Sequence, residues 1–217
     1  LLGISGLLIS GLTFGLFELI GVDIEFFYTQ YVIVFGLAAL PIVATYLIQA
    51  NPTLTNKITP LIAKIFSPLV LIMLFTYLIA IIFTGKSQFE DREFLLMFNL
   101  LLIGVMGLIF FSVAESSSKE RFSSQAWVLV FLSIVTIILN LIALTAISSR
   151  ILEWGITPNR LAVLGSNVLM LIHLLLLAQK LYHSLKFKTS MDRVGLGVVQ
   201  FLPFYFAWTL VVVFLFP

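Results

Sequence analysis

The sequence predicts an all-α membrane protein, a polytopic bundle in which about seven helices cross a bilayer. Hydrophobic residues make up 61% of its 217 residues, against roughly 45–50% in ordinary soluble domains. Charged residues, 10% of the chain, are grouped in short clusters between apolar runs of about twenty residues, the length a helix needs to cross a bilayer core. A β-barrel would instead alternate apolar and polar residues, and runs such as LMLIHLLLLA do not.

Seven apolar spans follow one another along the chain, separated by short polar connectors. No connector is long enough for a soluble domain, so we expect a single transmembrane domain over residues 1–217. Because the chain begins inside an apolar run, we also expect it to be a segment of a longer protein. The predicted spans cover about 1–20, 26–48, 61–84, 94–114, 126–147, 161–182 and 194–216.

Lys and Arg are distributed unevenly between the two sides, which predicts an orientation, because these residues accumulate on the cytoplasmic side of membrane proteins. Eight lie near the connectors after the second, fourth and sixth spans: Lys57, Lys64, Lys119, Arg121, Lys180, Lys186, Lys188 and Arg193. Four lie after the first, third and fifth spans: Lys86, Arg92, Arg150 and Arg160. The start of the segment is therefore expected to be cytoplasmic and Pro217 extracytoplasmic.

The stretch SSRILEWGITPNR, residues 148–160, predicts a tight turn between the fifth and sixth spans. Trp154 suits the membrane–water interface. Gly155 can adopt the positive φ that ends a helix. Thr157 is a good helix N-cap and Pro158 a good first helical residue. The stretch is thus interpreted as a stop, a turn and a restart.

The same turn is also a candidate recognition patch on the outer side. The charged connector GKSQFEDREF should emerge on that side, so that Glu90, Asp91 and Arg92 could pair with the turn. Exposed ion pairs of this kind contribute only about 0–1 kcal/mol, and they would position two hairpins without implying catalysis. The residues of the predicted patch are Arg150, Glu153, Trp154, Asn159 and Arg160.

The segment WGITPNRLAVLGSNVLMLIHLLLLAQKLY resembles the YGLTPNR-type signature of a bacterial polytopic membrane family, domain of unknown function 4153. Trp154 stands in the place of the aromatic Tyr, the motif continues to Arg160, and the preceding Arg150 also fits. Elsewhere the likeness is one of hydropathy only. The resemblance implies a bacterial membrane protein, and since the family has no established activity it implies no reaction.

Polar residues form a stripe along one face of the predicted sixth span. Ser166, His173 and Lys180 recur every seven residues, nearly two helical turns, and Asn167 widens the stripe. One interpretation is hydrogen bonding between helices, worth about 0.6 kcal/mol for each bond. The alternative is a polar path or small-molecule pocket centred on His173. Candidate partners for the stripe lie on other spans: Asn99, Asn140 and Gln200.

The sequence lacks signatures of catalysis and of metal binding. No glycine-rich phosphate loop, H-E-x-x-H or G-x-S-x-G motif occurs, and cysteine is absent. The two histidines are His173 and His183, and His183 lies at the end of the same predicted helix as His173, so they do not suggest a metal site. Ser166 and His173 would lie about 10 Å apart on a helix, too far for a nucleophile and its base. We therefore expect no catalytic residue, metal or cofactor.

These observations favour a non-enzymatic protein of the bacterial inner membrane that acts as a scaffold or subunit of a larger membrane assembly. Its expected partners are the lipid bilayer and other membrane protein subunits. The net charge of +2 and the absence of a basic stripe argue against nucleic acid. The alternative is a small-molecule transporter or permease with a polar path along the sixth span. A membrane enzyme would need catalytic residues from outside this segment.

Overall fold

The computed structural model describes residues 2–50, 58–84, 92–115, 124–187 and 191–216. Within these ranges every regular element is helical and no strand occurs, which confirms the predicted all-α bundle. The second helix is continuous but contains a π-helical stretch, Tyr28–Ile33, between Glu25–Phe27 and Val34–Ala50. The helices are α1 (Leu2–Leu19), α2 (Glu25–Ala50), α3 (Ile58–Thr84), α4 (Arg92–Glu115), α5 (Ser124–Trp154), α6 (Pro158–Phe187) and α7 (Met191–Leu215).

Six of these helices, α2 to α7, are long and apolar enough to cross a membrane. The chain is therefore an integral membrane protein. Helices α5 and α6 contain 31 and 30 residues, which corresponds to about 45 Å each. Because a bilayer core is only about 30 Å thick, the ends of both helices reach beyond it. The predicted spans ended at residues 147 and 182, several residues before the helices do.

Three helices, α3, α4 and α5, pack against one another and form the centre of the bundle. Their facing side chains are buried and apolar, with Leu74, Phe98 and Leu139 among those at 0% exposure. Helix α4 also contacts α1, α6 and α7, and α6 packs between α5 and α7. Polar groups on α4 and α6 can therefore meet inside the bundle.

Helix α2 lies at the periphery, where its main helix neighbour is α1. The hydroxyl of Tyr28 donates to the Ser10 hydroxyl over 3.2 Å, and the Tyr28 ring lies 4.8 Å from that of Phe14, measured between centroids. Most described side chains of α2 and of α7 are exposed. The outward faces of these two helices are largely apolar, as expected of surfaces that contact lipid or another membrane protein.

Candidate functional site

Three asparagines from three helices form a hydrogen-bonded chain inside the bundle. Asn167 of α6 donates from Nδ2 to Oδ1 of Asn99 on α4 over 2.6 Å. Its own Oδ1 accepts a bond of 3.3 Å from Nδ2 of Asn140 on α5. Two further bonds within helices, from Asn167 to the Val163 carbonyl and from Asn99 to the Leu95 carbonyl, hold these amides in place. We call these three residues the asparagine chain.

Two members of the asparagine chain are fully buried, and the third, Asn99, is partly buried. Asn140 and Asn167 are both at 0% exposure. An amide without a hydrogen-bond partner in hydrocarbon costs several kcal/mol, so the side chains pair with one another. The pairing is incomplete, since Oδ1 of Asn140 has no partner among the described residues.

His173, about two turns further along α6, sits among aromatic side chains. The centroid of its ring lies 4.6 Å from that of Phe110 on α4 and 4.5 Å from that of Phe201 on α7. Its Nδ1 shares a hydrogen bond of 3.3 Å with the Tyr205 hydroxyl, which also contacts Met106 Sδ at 3.5 Å. The Nε2 atom is buried and has no partner in the described part of the chain.

The other members of the stripe lie at the interface between α6 and α7. Ser166 donates to the Ala162 carbonyl over 2.8 Å, and the indole Nε1 of Trp208 donates to both residues over 3.2 Å. Lys180 is exposed, and the end of its side chain, from Cδ to Nζ, lies over Gly197 of α7. Both ends of the stripe therefore contact α7, Ser166 through Trp208 and Lys180 through Gly197.

A glycine makes room for Trp208. A Cβ atom at Gly165 would overlap the six-membered ring of this indole, so glycine is needed for the ring to pack this closely against α6. The predicted partner Gln200 does not join this interface. It is exposed on α7 and makes no described contact with the stripe.

Sequence reasoning missed the aromatic partners of the stripe, namely Phe110, Phe201, Tyr205 and Trp208. One available signal was the spacing of Phe201, Tyr205 and Trp208. Steps of four and three residues place them on one face of α7. A second signal was the polar atom on Tyr and Trp, which usually finds a hydrogen-bond partner when it is buried.

The turn between α5 and α6 has the geometry predicted for it. Helix α5 ends at Trp154, and Gly155 has φ +81° while its N–H donates to the Ile151 carbonyl over 3.0 Å. The Thr157 hydroxyl accepts a bond of 3.3 Å from the backbone N–H of Arg160, and α6 begins at Pro158. The stop, turn and restart are confirmed.

Two arginines of this turn lie against one tryptophan. The guanidinium carbons of Arg150 and Arg160 are 5.7 and 5.8 Å from the centre of the Trp154 ring, within cation–π range. Arg160 also donates from Nη1 to the carbonyls of Trp154, over 3.0 Å, and Gly155, over 2.6 Å. Of the predicted patch, Glu153 and Asn159 are exposed beside this group. We call Arg150, Trp154 and Arg160 the tryptophan clamp.

Two further expectations concern the charged connector before α4 and the lack of a metal site. The connector 85–91, whose Glu90 and Asp91 were expected to approach the turn, lies outside the described residues, and the side chain of Arg92 is not described either. In the ranges that are described, no group of three or more His, Asp or Glu side chains is placed to hold a metal ion. The polar chemistry of the described interior is therefore that of amides, hydroxyls, one indole and one imidazole.

Comparisons with protein-family models, with curated proteins and with solved structures find no match for this chain. The resemblance to domain of unknown function 4153 therefore stays a prediction, based on residues 154–160 and the preceding Arg150. A function has to be inferred from the arrangement of the side chains.

Proposed function

We propose that this chain is a non-enzymatic integral membrane protein that acts as a scaffold or subunit of a larger membrane assembly. The observation that carries the proposal is the packing of the α6 stripe. Its buried members, Asn167 and His173, contact side chains of α4, α5 and α7. A binding pocket presents its polar groups to a cavity, whereas these groups join helices. The stripe thus serves to set the positions of four helices.

The exposed faces of α2 and α7 are consistent with this role. Aromatic side chains are frequent there, and large aromatic residues dominate the energetics of protein interfaces. The most exposed Phe side chains on the two helices are Phe26, Phe27, Phe35, Phe204, Phe206 and Phe214. Such a surface can contact lipid and a partner subunit equally well.

The location that we propose is the bacterial inner membrane, with the start of the segment in the cytoplasm and Pro217 outside. The bias of eight to four Lys and Arg residues between the two sides supports this orientation. The resemblance of the WGITPNR segment supports a bacterial origin.

Cross-linking in the native membrane tests the scaffold proposal. A photoreactive phenylalanine analogue would replace Phe35 on α2, Phe206 on α7 or, as a control, Phe131 on the exposed face of α5. We expect one cross-linked companion of defined mass from α2 or α7, and recovery of the same companion with the protein in mild detergent. A monomer that forms no cross-link contradicts the proposal, as does equal cross-linking at all three positions, which indicates random collision.

A transporter is the second candidate, and one observation favours it. Nε2 of His173 and Oδ1 of Asn140 are both buried and lack partners among the described residues. Buried polar atoms almost always have a partner, which can be water. A hydrated path along α6 would supply such partners.

Reconstitution into vesicles separates the two candidates. Proton flux and glycerol permeation would be measured for the wild-type protein, for His173→Phe and for Tyr205→Phe. His173→Phe retains a ring in the aromatic site and removes Nε2. Vesicles that show no flux above lipid alone support the scaffold. Flux that His173→Phe abolishes and Tyr205→Phe retains would establish the transporter instead.

A further inference from the structure

The turn between α5 and α6 presents cationic and apolar groups side by side. The Trp154 side chain is 61% exposed although two guanidinium groups lie against its ring. On either side of it, Leu152 and Ile156 are 86% and 69% exposed. Large apolar side chains at the end of a membrane helix are stable in contact with lipid, and Trp prefers the depth of the headgroups.

Arg160 is held by its Nη1 atom, and the Nε–Nη2 edge of its guanidinium group takes no part in these bonds. Nη1 binds the Trp154 and Gly155 carbonyls. Among the described residues, Nε and Nη2 have no hydrogen-bond partner. The planar group can therefore offer two parallel N–H donors, the arrangement with which arginine binds phosphate through two oxygens.

We propose that the tryptophan clamp binds the phosphate of an anionic phospholipid headgroup. Arg160 would donate from Nε and Nη2 to two phosphate oxygens, Arg150 would add a second positive charge, and Trp154 would lie beside the glycerol region. Leu152 and Ile156 would contact the start of the acyl chains.

The charges of the turn favour an anionic over a zwitterionic lipid. Arg150 and Arg160 carry two positive charges and Glu153 one negative charge, which leaves the turn positive. A choline headgroup would bring its own cation towards two arginines, whereas a glycerol headgroup would not. This inference is independent of the scaffold proposal, because a transporter could hold such a lipid equally well.

Native mass spectrometry of the protein in detergent tests the inference, with phosphatidylglycerol and phosphatidylcholine as probes. We expect phosphatidylglycerol to bind the wild-type protein more tightly. Arg160→Gln keeps an amide donor near the carbonyls but loses the charge and the two-donor edge, so its affinity for phosphatidylglycerol should fall about tenfold. Arg150→Gln, which leaves the Arg160 contacts in place, is the second variant in case Arg160→Gln unfolds.

The matched control is Lys186→Gln at the other end of α6. Lys186 is also a cation beside an aromatic ring, with Nζ 5.6 Å from the centre of the Phe187 ring. Its removal should leave phosphatidylglycerol binding unchanged. An equal loss in Lys186→Gln would overturn the proposal, since it would reflect net charge alone.

Two more results would also overturn it. One is equal binding of the two lipids to the wild-type protein. The other is competition by glycerol phosphate at the same concentration as the lipid, which would identify a site for soluble phosphate esters.

A double variant of the neighbouring connector gives one further test. If Glu90→Gln with Asp91→Asn bound lipid and the wild-type protein did not, the proposal would be wrong, because the connector rather than lipid would occupy the tryptophan clamp.

Discussion

Asn167 and Asn99 lie 68 positions apart in the chain and join α6 to α4 through a hydrogen bond of 2.6 Å inside the bundle. The same Asn167 side chain accepts a bond from Asn140 of α5. The Asn167 amide therefore connects three helices, and at 0% exposure it has no access to water that could replace these bonds. Asn167 of the α6 stripe therefore holds neighbouring helices together, and any further role of the stripe has to be compatible with this packing.

Replacing Asn167 with Ala should destabilise the protein by about 1–3 kcal/mol. The substitution removes two bonds between helices, and Oδ1 of the partly buried Asn99 and Nδ2 of the buried Asn140 lose their partner. Unfolding in detergent, followed by circular dichroism, measures the change. Asn159→Ala, at an exposed position of the same helix, should change stability by less than about 0.5 kcal/mol. Equal effects at the two positions would show that the asparagine chain contributes no stability.

Glycine at position 165 is required by the indole of Trp208. Gly165→Ala should cost about 1–3 kcal/mol, as overpacking in a filled interface does. The added methyl group would displace the ring, which would then lose the bonds from Nε1 to Ala162 and Ser166. Thermal unfolding and the emission wavelength of tryptophan report the two effects.

The control for this variant is Gly107→Ala on α4. A Cβ atom at position 107 would meet no other atom within 4 Å, and alanine favours a helix over glycine by about 1 kcal/mol. This variant should therefore be as stable as the wild type or more so. Destabilisation of both variants to the same extent would contradict the close approach of α6 and α7.

The backbone of Gly155 leads to a third prediction. At φ +81°, a residue with a Cβ atom is strained by about 1–2 kcal/mol, so Gly155→Ala should destabilise by that amount. Gly155→Asn should recover part of the loss, because Asn tolerates the left-handed region. Gly195→Ala, inside α7 where no Cβ contact would arise, is the control and should not destabilise. Chemical unfolding of the three variants measures these differences.

The transmembrane helices could be predicted from sequence because each depends on the hydrophobicity of its own segment and not on contacts with distant segments. A run of about twenty apolar residues must cross the bilayer as a helix, whatever its neighbours are. Hydropathy alone was less accurate about helix ends: the apolar run of the fifth span stops near residue 147, whereas α5 continues through charged Arg150 and Glu153 to Trp154, the end that Gly155 predicted. Hydropathy detects the edge of the lipid, whereas Gly155 ends the helix.

The candidate site was only partly predictable, because helix rotation is set by packing between distant segments. Polarity alone suggested Asn99 and Asn140 as partners of the stripe, and in the structure both form hydrogen bonds with Asn167. Polarity also suggested Gln200, yet the face of α7 turned to α6 carries Phe201 and Tyr205. The spacing of Phe201, Tyr205 and Trp208 marks one face of the seventh span, but nothing within that span alone states that this face meets the sixth.

The orientation of the chain leads to the last prediction, which single cysteines can test because the sequence contains none. Asn159 and Lys186 are exposed near opposite ends of α6. The helix rises about 40 Å between them. A membrane-impermeant maleimide should label Asn159→Cys in intact cells and Lys186→Cys only after permeabilisation. Ser166→Cys, at a partly buried position between them, should resist labelling until the protein unfolds. The reverse pattern would show that the start of the segment faces outward, against the two-to-one bias of Lys and Arg. Labelling of both ends from outside would show that α6 does not cross the membrane.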